Sequence, residues 1–222
     1  VKRLALLLMV AGLAATAVVP AIAADASKTK PMPAKPATAK AADQKTPAVV
    51  DSVGMLERAV AKDSSRTDDL YRLGVMYLDR DRVPEAIQVL TKANGQKPQS
   101  VPILVNLGAA YDASGRSTDA QKYYRMALGV SPDDSIATCR LASSLYAASK
   151  YTESMKMLRD LIEKKPRSHC AYFTLGVAFA DAGIYRDAIR MWQKVVELAP
   201  ESQEAISAKE SIEVLQKIVQ QQ

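Results

Sequence analysis

The chain is poor in the residues on which most enzyme chemistry depends. Its 222 residues include one histidine, two cysteines, one tryptophan and two phenylalanines. A lone histidine excludes HExxH zinc sites and histidine relays. His169 follows Ser168 at a predicted helix start, where an exposed helix-end side chain is a simpler reading than a general base. The nine glycines form no phosphate-cradling loop, dinucleotide fingerprint or GxSxG elbow. No CxxC pair is present, so dithiol redox chemistry lacks its usual spacing. Metals, cofactors and small-molecule substrates are therefore not expected, and the chain reads as non-enzymatic. A thiol-redox enzyme using Cys139 and Cys170 is the remaining rival.

The formal net charge of +6 is unevenly placed. Residues 1–47 hold seven Lys and Arg against two Asp, a net +5, which leaves the rest at +1. A nearly neutral folded part offers no basic stripe for nucleic acid. The N-terminal stretch "VKRLALLLMVAGLAATAVVPAIAADAS" has basic Lys2 and Arg3, an apolar run from Leu4 to Val19, and small Ala21 and Ala23. That is the layout of a secretory signal peptide over 1–23, with cleavage expected after Ala23. An uncleaved inner-membrane anchor facing the periplasm is the alternative, although the run is short for a spanning helix of about 20 residues. A valine in first place fits an alternative bacterial start codon, so the expected compartment is the periplasm. Residues 24–48, rich in Ala, Lys and Pro, read as a disordered linker.

What the chain does have is a repeat. "LGVMYLDRDRVPEAI" (73–87) is echoed by "NLGAAYDASGRSTDAQ" (106–121), "RLASSLYAASKYTESM" (140–155) and "TLGVAFADAGIYRDAI" (174–189). The period is 34: Leu73, Leu107, Leu141 and Leu175 are in register, followed by Gly74, Gly108, Ala142 and Gly176. Further columns are Tyr77, Tyr111, Leu145 and Phe179, then Ala86, Ala120, Ser154 and Ala188, then Leu90, Tyr124, Leu158 and Trp192. Each unit closes on a proline at Pro98, Pro132, Pro166 or Pro200. A register kept over four units without an insertion marks a repeat architecture. The small columns predict close helix approach, which repays the helix propensity that glycine gives up. Ser100, Asp134, Ser168 and Ser202 are predicted N-caps, and Gly115 and Gly183 predicted left-handed turn residues.

These residues resemble the tetratricopeptide repeat family, with its pattern W-x2-L-G-x2-Y, A-x3-F and P over 34 residues. Units 67–100, 101–134, 135–168 and 169–202 carry the likeness, about three fifths of the chain. The usual tryptophan column is Leu70, Leu104, Thr138 and Tyr172, and the third unit diverges most. The resemblance implies an all-α fold, a right-handed superhelix (alpha solenoid) of helix-turn-helix repeats. Uncapped arrays expose apolar faces. Residues 49–66, with Leu56 and Ala59, are expected to form an N-terminal half-repeat or cap helix, and 203–222, with the stripe Ala205, Ala208, Ile212, Leu215 and Val219, a C-terminal capping helix.

In this family the first helices line a concave groove that takes a partner's peptide or helix. Carried onto this chain, that surface is Tyr71, Val75, Val105, Ala109, Ile136, Arg140, Ser143, Tyr146, Phe173 and Val177, mostly apolar. The charged pattern that holds C-terminal carboxylates in the family is matched only at Asn106 and Arg140. The resemblance also places Cys139 and Cys170 opposite each other on neighbouring units, so a disulfide is expected as one alternative and two buried thiols as the other. The function so implied is an adaptor or scaffold in the bacterial envelope that binds a protein partner. A periplasmic holdase for secreted or cytochrome precursors is the alternative, and self-association could cover the groove instead.

Overall fold

The computed structural model describes residues 52–221, so the expected signal peptide and linker lie outside the described residues. Among the described residues ten helices follow one another: α1 (Ser52–Lys62), α2 (Thr67–Leu78), α3 (Val83–Gln96), α4 (Val101–Ala113), α5 (Ser117–Val130), α6 (Ser135–Ala147), α7 (Tyr151–Lys164), α8 (His169–Asp181), α9 (Tyr185–Leu198) and α10 (Gln203–Gln220). No strand occurs among the described residues. The architecture is an all-α solenoid in which each helix packs on its successor.

Within a unit the glycine column explains the approach of the paired helices. A Cβ added at Gly74 would lie 2.5 Å from Leu90 Cγ, and one at Gly108 would lie 2.5 Å from Tyr124 Cε1. At Gly176 the added atom would strike the Trp192 indole. The large residue of the second helix therefore rests on bare backbone, and Leu90, Tyr124 and Trp192 are all buried. Ala86, Ala120, Ser154 and Ala188 are fully buried on the same contact. Serine is accommodated there because its Oγ donates to the Ala142 carbonyl at 2.6 Å, which satisfies a polar group that would otherwise be costly to bury.

The turn between the paired helices has one left-handed residue in every unit. Gly115 and Gly183 both have φ of 76°. The same place is taken by Asp81 (φ 57°) and Ser149 (φ 61°), L-residues for which this conformation is strained. The glycines alone were expected; the backbone path repeats even where the residue does not. Caps show the opposite behaviour. Asp134 accepts from the Ala137 amide at 2.7 Å and Ser202 from the Ala205 amide at 3.1 Å. Ser100 and Ser168 precede their helices but make no side-chain cap bond; the Ser168 hydroxyl lies 3.4 Å from Cys170 Sγ instead.

At the two ends, α1 buries Val53 against Leu73 and Tyr77, and α10 buries Ala205, Ala208 and Leu215 against Trp192 and Val195. Ile212 and Ile218 are partly buried on the same cluster.

Candidate functional site: the inner face of the solenoid

Which face is concave follows from which helices still touch across units. The first helices do: α2 meets α4, α4 meets α6, α6 meets α8, and α8 meets α10. The second helices α3, α5, α7 and α9 make no such contacts with one another. Stacked layers that stay in contact on one side and spread on the other curve towards the contacting side, so the first helices form the inner face.

Most of the expected groove residues are partly accessible on these helices. Tyr71, Val75, Ala109, Ser143, Tyr146, Phe173 and Val177 are half-buried, and Ile136 and Arg140 are exposed. Val105 requires a correction. It is 7% exposed and packs with Leu104, Tyr124, Ala137 and Leu141 in the core between the second and third units. Neighbouring α6 covers the position, so it supports the groove without lining it.

The aromatic side chains are held in place. Tyr71 receives the Asn106 Nδ2 donor at 3.4 Å. Tyr146 donates to Asp181 Oδ2 at 2.8 Å, bridging α6 to α8, and meets the Tyr151 ring edge-on at 4.9 Å. Burial first, then the hydrogen bond to Asp181, pushes the Tyr146 hydroxyl well above its ordinary pKa. Phe173 and Val177 pack onto the α8–α9–α10 cluster, where the Phe173 carbonyl accepts from Trp192 Nε1 at 3.2 Å. Side chains held in this way have little rotamer freedom left to lose.

Cys139 and Cys170 form a disulfide with a Cα–Cα distance of 6.1 Å. It joins α6 to α8, two helices of the inner layer. The tie therefore sets the spacing of the segment that carries Tyr146 and Phe173.

Asp112, at the end of α4, is a polar element that the sequence reading omitted. Its carboxylate accepts from Tyr124 Oη at 3.0 Å and from Ser144 Oγ at 3.0 Å. Burial raises its pKa above the usual carboxylate value, with the two hydroxyls and the Arg140 charge opposing. The signal was available, since Asp112 stands 34 residues before Tyr146 as the one acid in that column. Shallow depressions elsewhere, at Lys97–Ser100 and around Tyr151, Met155 and Arg159, include no expected groove residue. Among the described residues no cluster of His, Cys, Asp or Glu is placed to hold a metal ion, and no helix is long and apolar enough to cross a membrane.

Three tetratricopeptide repeat family models match the chain, over residues 51–101, 77–138 and 171–202, together more than half of it. The chain belongs to the tetratricopeptide repeat family. No curated protein sequence matches it significantly, but many solved structures do. TTC0263, a thermophilic tetratricopeptide repeat protein of Thermus thermophilus, is 15% identical with a TM-score of 0.62, over 72% of this chain and 88% of that one. PilF of Pseudomonas aeruginosa is 20% identical with a TM-score of 0.58, over 72% of each chain. YrrB, described as a tetratricopeptide repeat protein with an unusual peptide-binding site, is 21% identical with a TM-score of 0.51, over 71% of this chain and 81% of that one. At these identities the likeness is one of fold. The tetratricopeptide repeat fold is a protein–protein interaction scaffold and typically a non-enzymatic one, and this chain has that fold.

Proposed function

We propose that the protein is a non-enzymatic adaptor of the bacterial envelope that holds a protein partner's peptide or helix in its concave groove. The observation that carries this reading is the continuous inner layer of first helices, with Tyr71, Tyr146 and Phe173 partly accessible and fixed by their neighbours. Aromatic anchors in well-packed surroundings dominate binding hot spots. YrrB, a structure of like fold, is described as having a peptide-binding site. An envelope location is supported by the signal-like segment 1–23 and by the cystine, since disulfides persist in oxidising compartments.

The test is crosslinking in intact cells followed by identification of what is retained, with the wild type and a Tyr146→Ala/Phe173→Ala variant. The variant is expected to lose the crosslinked partner while keeping its helical circular dichroism, with a weakening of about 1 to 4 kcal/mol. Undiminished capture would move the binding element to the convex face. Capture of unfolded clients without selection among them would favour a holdase.

A further inference from the structure

The cystine fastens only one end of the helix pair that it joins. Cys139 is the fifth residue of α6 and Cys170 the second of α8. Towards the other end Tyr146, the twelfth residue of α6, donates to Oδ2 of Asp181, the last residue of α8, at 2.8 Å. One fastening is covalent and the other a hydrogen bond. The two cysteines are also placed unequally. Cys139 is 6% exposed, among Ala142, Leu158, Leu161 and Leu175, whereas Cys170 is only partly buried at the start of its helix. Around Cys170 Sγ stand the Ser168 hydroxyl at 3.4 Å and the Ser135 carbonyl at 3.5 Å. A cystine sulfur has no hydrogen to give the carbonyl and accepts only weakly from the hydroxyl. A thiol can donate to the carbonyl, and a thiolate takes the hydroxyl as a charge-assisted donor besides being favoured at a helix N-terminus. Ser168 is 8% exposed and makes no cap bond, so its hydroxyl is kept for the sulfur. These surroundings suit the reduced sulfur better than the oxidised one.

We propose that the Cys139–Cys170 bond is a reversible latch, opened by a protein dithiol at Cys170 Sγ, and that opening lets the start of α8 swing away from α6 about the Tyr146–Asp181 bond. A thiolate of the dithiol attacks Cys170 Sγ, the more accessible sulfur. The cystine bond breaks, and Cys139 Sγ leaves with the bonding pair and takes a proton from water. The second thiol of the dithiol gives its proton to solvent, attacks the dithiol sulfur of the mixed disulfide and releases Cys170 as a thiolate at the start of α8. The chain has then gained two electrons, and the dithiol has become a disulfide. A cystine whose reduced form is stabilised is the more easily reduced. The apolar cluster of Ala142, Leu158, Leu161, Ala171 and Leu175 still holds α6, α7 and α8 together, so opening moves one end of the pair and leaves the unit folded. Phe173 sits near the released end of α8 and Tyr146 at the held end of α6, so the latch sets their separation. The inference goes beyond the adaptor reading and does not depend on what the groove holds.

The test has two arms on the full chain purified in its oxidised form. In the first, the protein is equilibrated with an equimolar amount of reduced thioredoxin as the dithiol, free thiols are alkylated, and the reduced fraction is read by intact mass. A structural cystine of the usual kind stays mostly oxidised against this dithiol, whereas here the reduced form is expected to predominate. Ser168→Ala is expected to lower the ratio of reduced to oxidised protein about fivefold. In the second arm, hydrogen exchange is compared between the oxidised protein and protein held reduced by dithiothreitol. Exchange is expected to rise in the first turns of α6 and α8 and to stay low in their last turns, and Tyr146→Phe is expected to extend the rise to the last turns. A cystine that resists thioredoxin, a Ser168→Ala ratio equal to that of the wild type, or exchange that rises evenly along both helices or not at all overturns the latch.

Discussion

The first two repeat units and the last two solve the same packing problem with different chemistry. In the first pair, a tyrosine at the end of the first helix lies under an arginine from the turn: Arg82 is 4.2 Å from the Tyr77 ring and Arg116 is 4.6 Å from the Tyr111 ring. Each arginine also pairs with an acid three residues on, Glu85 or Asp119. In the first unit the device reaches α1, because Glu57 accepts from Tyr77 Oη at 2.7 Å and from Arg82 Nη1 at 3.0 Å. Burial, then the bond to Glu57, pushes the Tyr77 hydroxyl up to about 12. In the last pair the equivalent places are Leu145 and Lys150, then Phe179 and Ile184, which cannot form that device. A covalent bond between α6 and α8 stands there instead. The third unit also has Ala142 where the others have glycine. A repeat with weaker internal contacts is thus tied to its neighbour, and a nearest-neighbour solenoid tolerates the exchange because each unit answers only to the next.

The largest way to sharpen this contrast is to remove α10. A chain ending at Glu201 loses burial of Leu215, Ile212 and Ile218 and uncovers the Trp192 cluster. A loss of about 5 kcal/mol or outright aggregation is expected, measured by urea unfolding and sedimentation. The last pair is expected to lose hydrogen-exchange protection first, because the first pair is capped by α1. Unchanged stability would show that α10 is not the cap.

Breaking the cystine comes next. The Cys139→Ser/Cys170→Ser variant is expected to lose about 3 to 4 kcal/mol, the loop-entropy value for 31 residues of separation. Exchange is expected to rise in α6 to α8 and not in α2 to α5. Two alkylated thiols in unreduced protein from an oxidising compartment would remove the covalent half of the comparison.

A smaller effect is expected in the first pair. Glu57→Ala leaves the Tyr77 hydroxyl without its acceptor and frees Arg82 from one partner, costing about 1 to 2 kcal/mol in thermal or urea unfolding. The pair is partly solvent-exposed, so the ionic part contributes little. A cost larger than that of the cystine variant would reverse the contrast. The smallest change is a gain. Ser149→Gly relieves a left-handed serine and is expected to stabilise the third unit by about 0.5 kcal/mol after the entropy of glycine is set against it.

Much of this was readable from residue identity. The period, the paired small and large columns and the left-handed glycines are written in residues with no side-chain choice to make. Gly74, Gly108 and Gly176 could be understood before any coordinate, since a buried helix glycine opposite Leu90, Tyr124 or Trp192 implies contact with bare backbone. Polar side chains were less legible. Ser100 and Ser168 have the right type and place for N-caps, but a hydroxyl rotates towards whichever partner is nearest, and for Ser168 that is a cysteine of its own helix. Asp81 and Ser149 carry the turn without glycine, because a backbone path shared by four units imposes the conformation on whatever residue stands there.

For the groove, the sequence by itself determined which helices recur and hence which columns can share a face. It also determined the 34-residue alignment of Leu73, Leu107, Leu141 and Leu175, because periodicity is a property of order along the chain. Only the tertiary structure decided that Val105 is core, that Tyr146 is tied to Asp181, that Asp112 lies beneath two hydroxyls and that Cys139 meets Cys170. Each of these depends on the small rotation from one helix pair to the next. That rotation is the sum of many weak side-chain contacts between units, which the order of residues along one helix does not state.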